Sequence, residues 1–156
     1  ATGNLSQAAI AFENVVRLAP KNANAWAELA DLTIALNPSD LLKAGEIAEK
    51  ALAVDPWHQK GLMIGAAAAF ERGDYAHAAV LFDRLRKQIP AGNEVHDALT
   101  QQIEMTLAAG GLKAIPKDDV GEKPETDLEK MMKLGGGMQQ APERGQDGVG
   151  LNPLKR

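Results

Sequence analysis

Apolar residues recur at helical spacing through the first two thirds of the chain, in blocks divided by proline, asparagine and glycine. Over residues 5–18, Ala8, Phe12, Val15 and Val16 fall on one side of a helix with a period of about 3.6 residues. Ile10 sits on its flank, and Pro20 stops the run. Asn22 or Asn24 offers an N-cap for a second helix through Trp26, Leu29, Ala30, Leu32 and Thr33 to about Leu36, where Asn37-Pro38-Ser39-Asp40 forces a turn. A third helix over 41–54 closes at Asp55-Pro56. Helices over 60–71 and 76–89 flank Gly73-Asp74-Tyr75, and Gly73 supplies the positive φ that a tight helix-to-helix turn wants. The last strong helix, 94–108, carries Leu99, Ile103 and Leu107 and ends at Gly110-Gly111. The pattern predicts an all-α fold.

These helices repeat. Ala8, Ala44 and Ala78 form one column, Phe12, Ala48 and Phe82 a second, Val15, Ala51 and Leu85 a third, and Pro20, Pro56 and Pro90 a fourth, offset throughout by 36 and then 34 residues. The order of small, larger apolar and proline resembles the second half of the tetratricopeptide (TPR) signature, a helix-turn-helix unit of roughly 34 residues. The two extra residues fall in the 37–40 turn. The resemblance implies a right-handed superhelical array of antiparallel helix pairs of about three repeats. The second helix of repeat one takes 5–19, repeat two 23–56, repeat three 59–90, and a capping helix 93–109, together a domain over 1–110. Trp26, Leu29, Gly73 and Tyr75 join the column residues as its structural positions. Gly3, Asn4 and Leu5 sit where an inter-helix turn belongs and the sequence opens on Ala1, so an upstream helix, and with it a membrane anchor, is expected outside these 156 residues.

Composition narrows the function. Hydrophobic residues make up 45% and aromatics only 4%, which suits close-packed alanine-rich helices better than a sandwich of bulky strands. The net charge of −4 resides in residues 1–110, with nine Lys and Arg against thirteen Asp and Glu, while residues 111–156 hold eight of each. Such a surface argues against nucleic acid and anionic lipid as partners, since both need clustered basic residues. The absence of cysteine excludes disulfides, thiolate metal sites and a cysteine nucleophile. No apolar run approaches the roughly 18 residues of a membrane span. Beyond Gly111 the chain turns to Gly, Pro, Lys, Asp and Gln, predicting a mostly disordered tail over 111–156. Within it Thr126 precedes Leu128, Met131, Met132 and Leu134, and Gly135-Gly136-Gly137 follows, so a short helix is expected over 127–134.

Three stretches carry a narrower likeness: Ala51 to Pro56 (ALAVDP), Gly65 to Tyr75 (GAAAAFERGDY) and Ile89 to Glu94 (IPAGNE). Over residues 1 to about 109 the chain resembles the periplasmic domain of the bacterial c-type cytochrome biogenesis proteins of the CcmI/CycH kind and the related NrfG group. Lys60-Gly61-Leu62-Met63 departs from that family, which commonly has an aromatic there. The resemblance implies a periplasmic, chaperone-like adaptor that holds the C-terminal helix of an apocytochrome c and passes it to other haem-ligation components. It implies no catalysis and no cofactor.

In a TPR array the first helices of successive repeats line the concave face. Counting along the motif gives three groove sets: Asn24, Ala27, Asp31 and Ile34; Lys60, Met63, Ala67 and Phe70; Glu94, Asp97, Gln101 and Glu104. The middle set reads as apolar and the outer two as acidic, a combination that suits an amphipathic helix with basic flanks. Phe70 and Met63 are the expected anchors, with ordinary inter-repeat packing as the alternative for each. A two-carboxylate clamp needs Lys, Arg and Asn where this groove has Ala27, Asp31, Met63 and Ala67. His58, His77 and His96 stand 19 residues apart without zinc-ligand spacing, and the glycine run lacks the P-loop lysine and serine. Metal binding and catalysis are therefore not expected. The second reading is a generic TPR assembly or chaperone-adaptor protein of the cell envelope, whose groove takes residues 128–134 of its own tail or another protein.

Overall fold

Each apolar block of the sequence folds as a helix, and the punctuating residues cap it. The computed structural model describes residues 2–135. They form α1 (Thr2–Leu18), α2 (Ala23–Leu36), α3 (Leu41–Val54), α4 (Gln59–Glu71), α5 (Tyr75–Arg86), α6 (Glu94–Gly110) and α7 (Asp127–Gly135), with a 3₁₀ turn at Pro38–Asp40. There is no strand among the described residues. The chain divides into two compact units, Ala1–Gly121 and Glu122–Arg156. The part of the expected tail at 136–156 lies outside the described residues.

Capping side chains mark the starts of α2, α4, α5 and α6. Of the two asparagines offered by the sequence, Asn22 is the N-cap of α2, its Oδ1 accepting from the Ala25 N–H at 3.1 Å. Asn37 accepts from Ser39 N–H at 3.2 Å and launches the 3₁₀ turn. His58 Nδ1 caps α4 through Gly61 N–H, Asp74 caps α5 through His77 N–H, and Asn93 caps α6 through Val95 N–H. Gly73, at φ 83°, makes the α4–α5 turn, and Gly111, at φ 62°, ends α6 in the left-handed conformation.

Two boundaries depart from the sequence reading. Gly3, Asn4 and Leu5, expected in a turn, are helical, because each residue added to a formed helix gains a hydrogen bond at little cost. The fifth helix, expected to reach Ile89, stops at Arg86. Pro90 disfavours helical torsions at Ile89, and the chain tightens instead through Gln88 N–H to Leu85 C=O and Ile89 N–H to Arg86 C=O.

In the first unit each helix packs on the next, and α2 also packs on α4. The contacts are built from small residues: Ala27, Ala30, Ala44, Ala48, Ala51, Ala66, Ala78 and Ala79 are fully buried. Small faces bring helix axes close, and Gly45 on α3 meets Ala68 on α4 with no room for a side chain. Around them lie three apolar clusters. Val16, Ala25 and Leu29 join α1 to α2, with Phe12 and Trp26 packed on them. Ala30, Ala44, Ala48 and Ile64 join α2, α3 and α4. Leu52, Leu62, Leu81, Phe82, Leu85 and Ile103 form the largest, reaching from α3 to α6. The column residues Ala44, Ala48, Ala78 and Phe82 are all buried, whereas Ala8 and Phe12 are half-buried on α1, which has α2 as its packing neighbour. Trp26 Nε1 donates to the Pro20 carbonyl at 2.8 Å while Lys50 lies over its ring, fixing the α1–α2 turn to α3.

The compact unit does not end at the composition break. Residues 112–121 return along α5: Gly110 is against Tyr75, the first residue of α5, and Asp118 reaches Arg84 in its last turn. Ile115 packs on the largest cluster. Arg84 donates from Nε and Nη2 to the two oxygens of Asp118 at 2.9 and 2.7 Å and from Nη1 to the Pro56 carbonyl at 3.0 Å. Its side chain is only 7% exposed. A guanidinium so buried needs this full set of acceptors, and the strap supplies two of them. Hydrogen bonding from Arg84 holds the Asp118 carboxyl below its ordinary value, with the Val120 N–H adding to it. In the second unit α7 opens with a capping box in which Thr126 and Glu129 exchange hydrogen bonds.

Candidate ligand-binding cleft

Two helices of the first unit are laced together by polar side chains, and beside that lacing an apolar cleft opens. Across α2 and α4, Asn24 Oδ1 lies 2.7 Å from the Nε2 of His58. Lys60 Nζ donates to Glu28 at 2.7 Å and to Asp31 at 3.1 Å. Hydrogen bonding to Glu28 raises the Lys60 ammonium above its ordinary value; burial opposes this and Asp31 reinforces it. Helix α6 packs on α5 without a counterpart, toward α4, of the α2–α4 packing. The chain between them, 87–93, is a run of turns through Pro90 and Gly92, and it carries Ile89.

The cleft has a volume of about 360 Å³. Asp31, Lys60 and Met63 of the predicted groove line it. So do four apolar residues outside the predicted sets: Ile64 of α4, Leu85 of α5, Ile89 of the connection and Val95 of α6. Gln59 completes it. Met63 is 58% exposed and Val95 53%, whereas Ile64 and Leu85 are buried, so the last two form a fixed base and the first two are free to adjust. A methionine is suited to that task because its unbranched side chain fills irregular gaps. A cleft of this size accommodates one or two apolar side chains, with the Asp31–Lys60 wall as its polar edge.

The other predicted groove residues lie elsewhere. Ala27 is fully buried between helices and presents nothing to a ligand. Ile34 packs on the Ala30, Ala44, Ala48 and Ile64 cluster. Phe70, the expected anchor, is packed against the largest core cluster and meets Tyr75 edge-on, ring centroids 5.2 Å apart. It takes part in core packing, the alternative weighed for it, and does not line the cleft. Ala67 is half-buried outside the cleft. Asn24 is engaged with His58. Glu94, Asp97, Gln101 and Glu104 are exposed along α6 and give that helix an acidic surface.

Equivalent repeat positions give Asp31, Lys60 and Met63 but not Gln59, Ile64, Leu85, Ile89 or Val95. The count assumes that α6 repeats the placement of α4, and the α5–α6 connection breaks that equivalence. Pro90 and Gly92, adjoining Ile89, were the available signal. Among the described residues, no group of three or more His, Asp or Glu side chains is gathered as a metal ion needs. No helix among them is long and apolar enough to cross a membrane. Set against protein-family models, curated proteins and solved structures, the chain matches none.

Proposed function

We propose that this chain is a TPR-type scaffold that holds an amphipathic helix of another protein, acting as a periplasmic cytochrome c maturation adaptor that presents the C-terminal helix of an apocytochrome for haem ligation. The observation that carries the binding role is the apolar cleft of Met63, Ile64, Leu85, Ile89 and Val95 beside a wall that holds Glu28, Asp31 and Lys60. Apolar side chains of one helix face enter the cleft and lose their contact with water, while charged flanks meet the acidic surface. The choice of apocytochrome rests on the likeness of residues 51–56, 65–75 and 89–94 to the biogenesis family. The TPR assignment rests on the four columns and on consecutive helix packing, and the role requires no catalytic group.

Calorimetric titration with the C-terminal helix peptide of a co-resident c-type apocytochrome, beside a scrambled peptide of the same composition, tests this reading. Saturable binding of the native peptide alone is expected. Equal binding of both, or of neither, removes the cytochrome assignment.

A second reading, a TPR assembly or chaperone-adaptor protein of the envelope with another protein as its partner, is favoured by α7. Leu128, Met131, Met132 and Leu134 are each at least 67% exposed there. A short helix with an uncovered Leu/Met face is itself a docking element. If deletion of residues 122–156 abolishes capture of the partner while the first unit stays folded, this second reading gains over the first.

A further inference from the structure

The cation on the wall of the cleft belongs to the protein itself. Lys60 Nζ stands between Glu28 and Asp31, and the three side chains are between 36% and 55% exposed. Asp31 thus stays accessible to whatever enters beside Met63, and Glu28, three residues back on α2, is partly open to solvent and shares the same ammonium. An ion pair this open to water stabilises little, because solvent screens it and holding a long lysine side chain in place costs rotamer freedom. Lys60 gives each carboxylate a single hydrogen bond, whereas the five donors of an incoming guanidinium, set in a planar fork, can meet a carboxylate with two. Glu94 and Asp97, exposed on α6 to either side of the cleft residue Val95 in the sequence, carry the same sign.

We propose that Lys60 is an internal competitor: it occupies the Glu28–Asp31 pair in the empty cleft and gives way to an arginine of the bound helix. The preferred ligand is then a helix with an apolar side chain for the Met63–Val95 cleft and an arginine one turn away. This rests on the binding role proposed above and adds to it the charge of the ligand and the residue that sets the threshold for accepting it. The arrangement filters ligands. An apolar helix without the arginine leaves Lys60 in place and obtains only the cleft contacts, while a helix with it gains the pair as well.

Two peptides of one helical sequence test the idea, each with a Leu/Met face and either Arg or Gln one turn from it. They are titrated into the full chain, into Lys60→Gln and into the double variant Glu28→Gln/Asp31→Asn. Lys60→Gln should bind the Arg peptide about two- to fivefold more tightly than the unaltered protein, the range of a partly exposed ion pair. Its affinity for the Gln peptide should not change, and added salt should erase the gain. The double variant should bind both peptides alike. If Lys60→Gln binds the Arg peptide equally or more weakly while the unaltered protein binds both peptides, Lys60 is a bystander or a ligand contact and the proposal is wrong. If the unaltered protein binds neither peptide, the binding role of the cleft fails, and this proposal with it. Circular dichroism checks helicity, and Lys60→Met, which keeps the aliphatic stem, repeats the comparison if Lys60→Gln unfolds.

Discussion

A β-carbon built on Gly45 lands on the β-carbon of Ala68, two atoms fixed to the backbones of α3 and α4. Neither helix can yield without disturbing Ala44 and Ala48, which are fully buried. Gly45→Ala should therefore destabilise by about 1–3 kcal/mol despite its better helix propensity, read as a lower urea midpoint. Phe70→Ala should lose roughly 2 kcal/mol, less than a fully buried ring, and leave peptide affinity unchanged at temperatures where the variant stays folded. Two ionisable residues give opposite pH dependences. Asp118 is held below its ordinary carboxylate value, chiefly by Arg84, so its contribution is complete above that range and is lost as pH falls through the lowered value. Asp118→Asn should cost about 3 kcal/mol at neutral pH, because it leaves a buried guanidinium without its counter-charge, and should flatten the acid limb of the stability curve. His77 is raised above 6.5 by its hydrogen bond to Glu49, 2.8 Å away, so its contribution is complete below 6.5 and fades as pH rises through the raised value. Both side chains are more than a third exposed, which limits the effect to roughly 0.5 kcal/mol. The urea midpoints of His77→Gln and the unaltered protein should converge as pH rises.

The helices were legible because their signals are local. Apolar period, asparagine and aspartate caps, Gly73 and the proline stops each act within a few residues, and the columns of Ala44, Ala48, Ala78 and Phe82 mark buried positions. The strap was not legible, because its partners are distant: Asp118 and Arg84 are 34 residues apart. The surrounding Gly, Pro, Lys and Asp read as a tail, and only an arginine placed between Leu81 and Leu85 hinted at a buried acceptor. Leu85, Ile89 and Val95 escape for a related reason, since they converge through the end of α5, an irregular connection and the start of α6, and not through a repeated helix position. The strap carries its own test. A chain ending at Gly121 should melt within a degree or two of one that keeps residues 122–135, whereas a chain ending at Gly110 loses Ile115 and Asp118. That shorter chain should unfold several degrees lower, with faster amide exchange in α5 and α6.

Across the whole first unit, alanine-lined contacts hold α2, α3 and α4 close, and the hydrogen bond between Asn24 and His58 ties α2 to the start of α4. Preorganisation of this kind lowers the ordering cost of binding, leaving Met63 and Val95 as the parts that adjust. With acidic residues in excess over basic ones in 1–110, a ligand with basic flanks should associate faster at low salt than at high salt. The most direct test of this account is methyl NMR of the full chain during titration with the apocytochrome C-terminal helix peptide. Methyl signals of Met63, Ile64, Leu85, Ile89 and Val95 should shift together and saturate at one equivalent, while those of Ile10 and Leu18 on α1 stay in place. Saturating shifts confined to α1, or binding that leaves the Met63 and Val95 methyls unmoved, would contradict it.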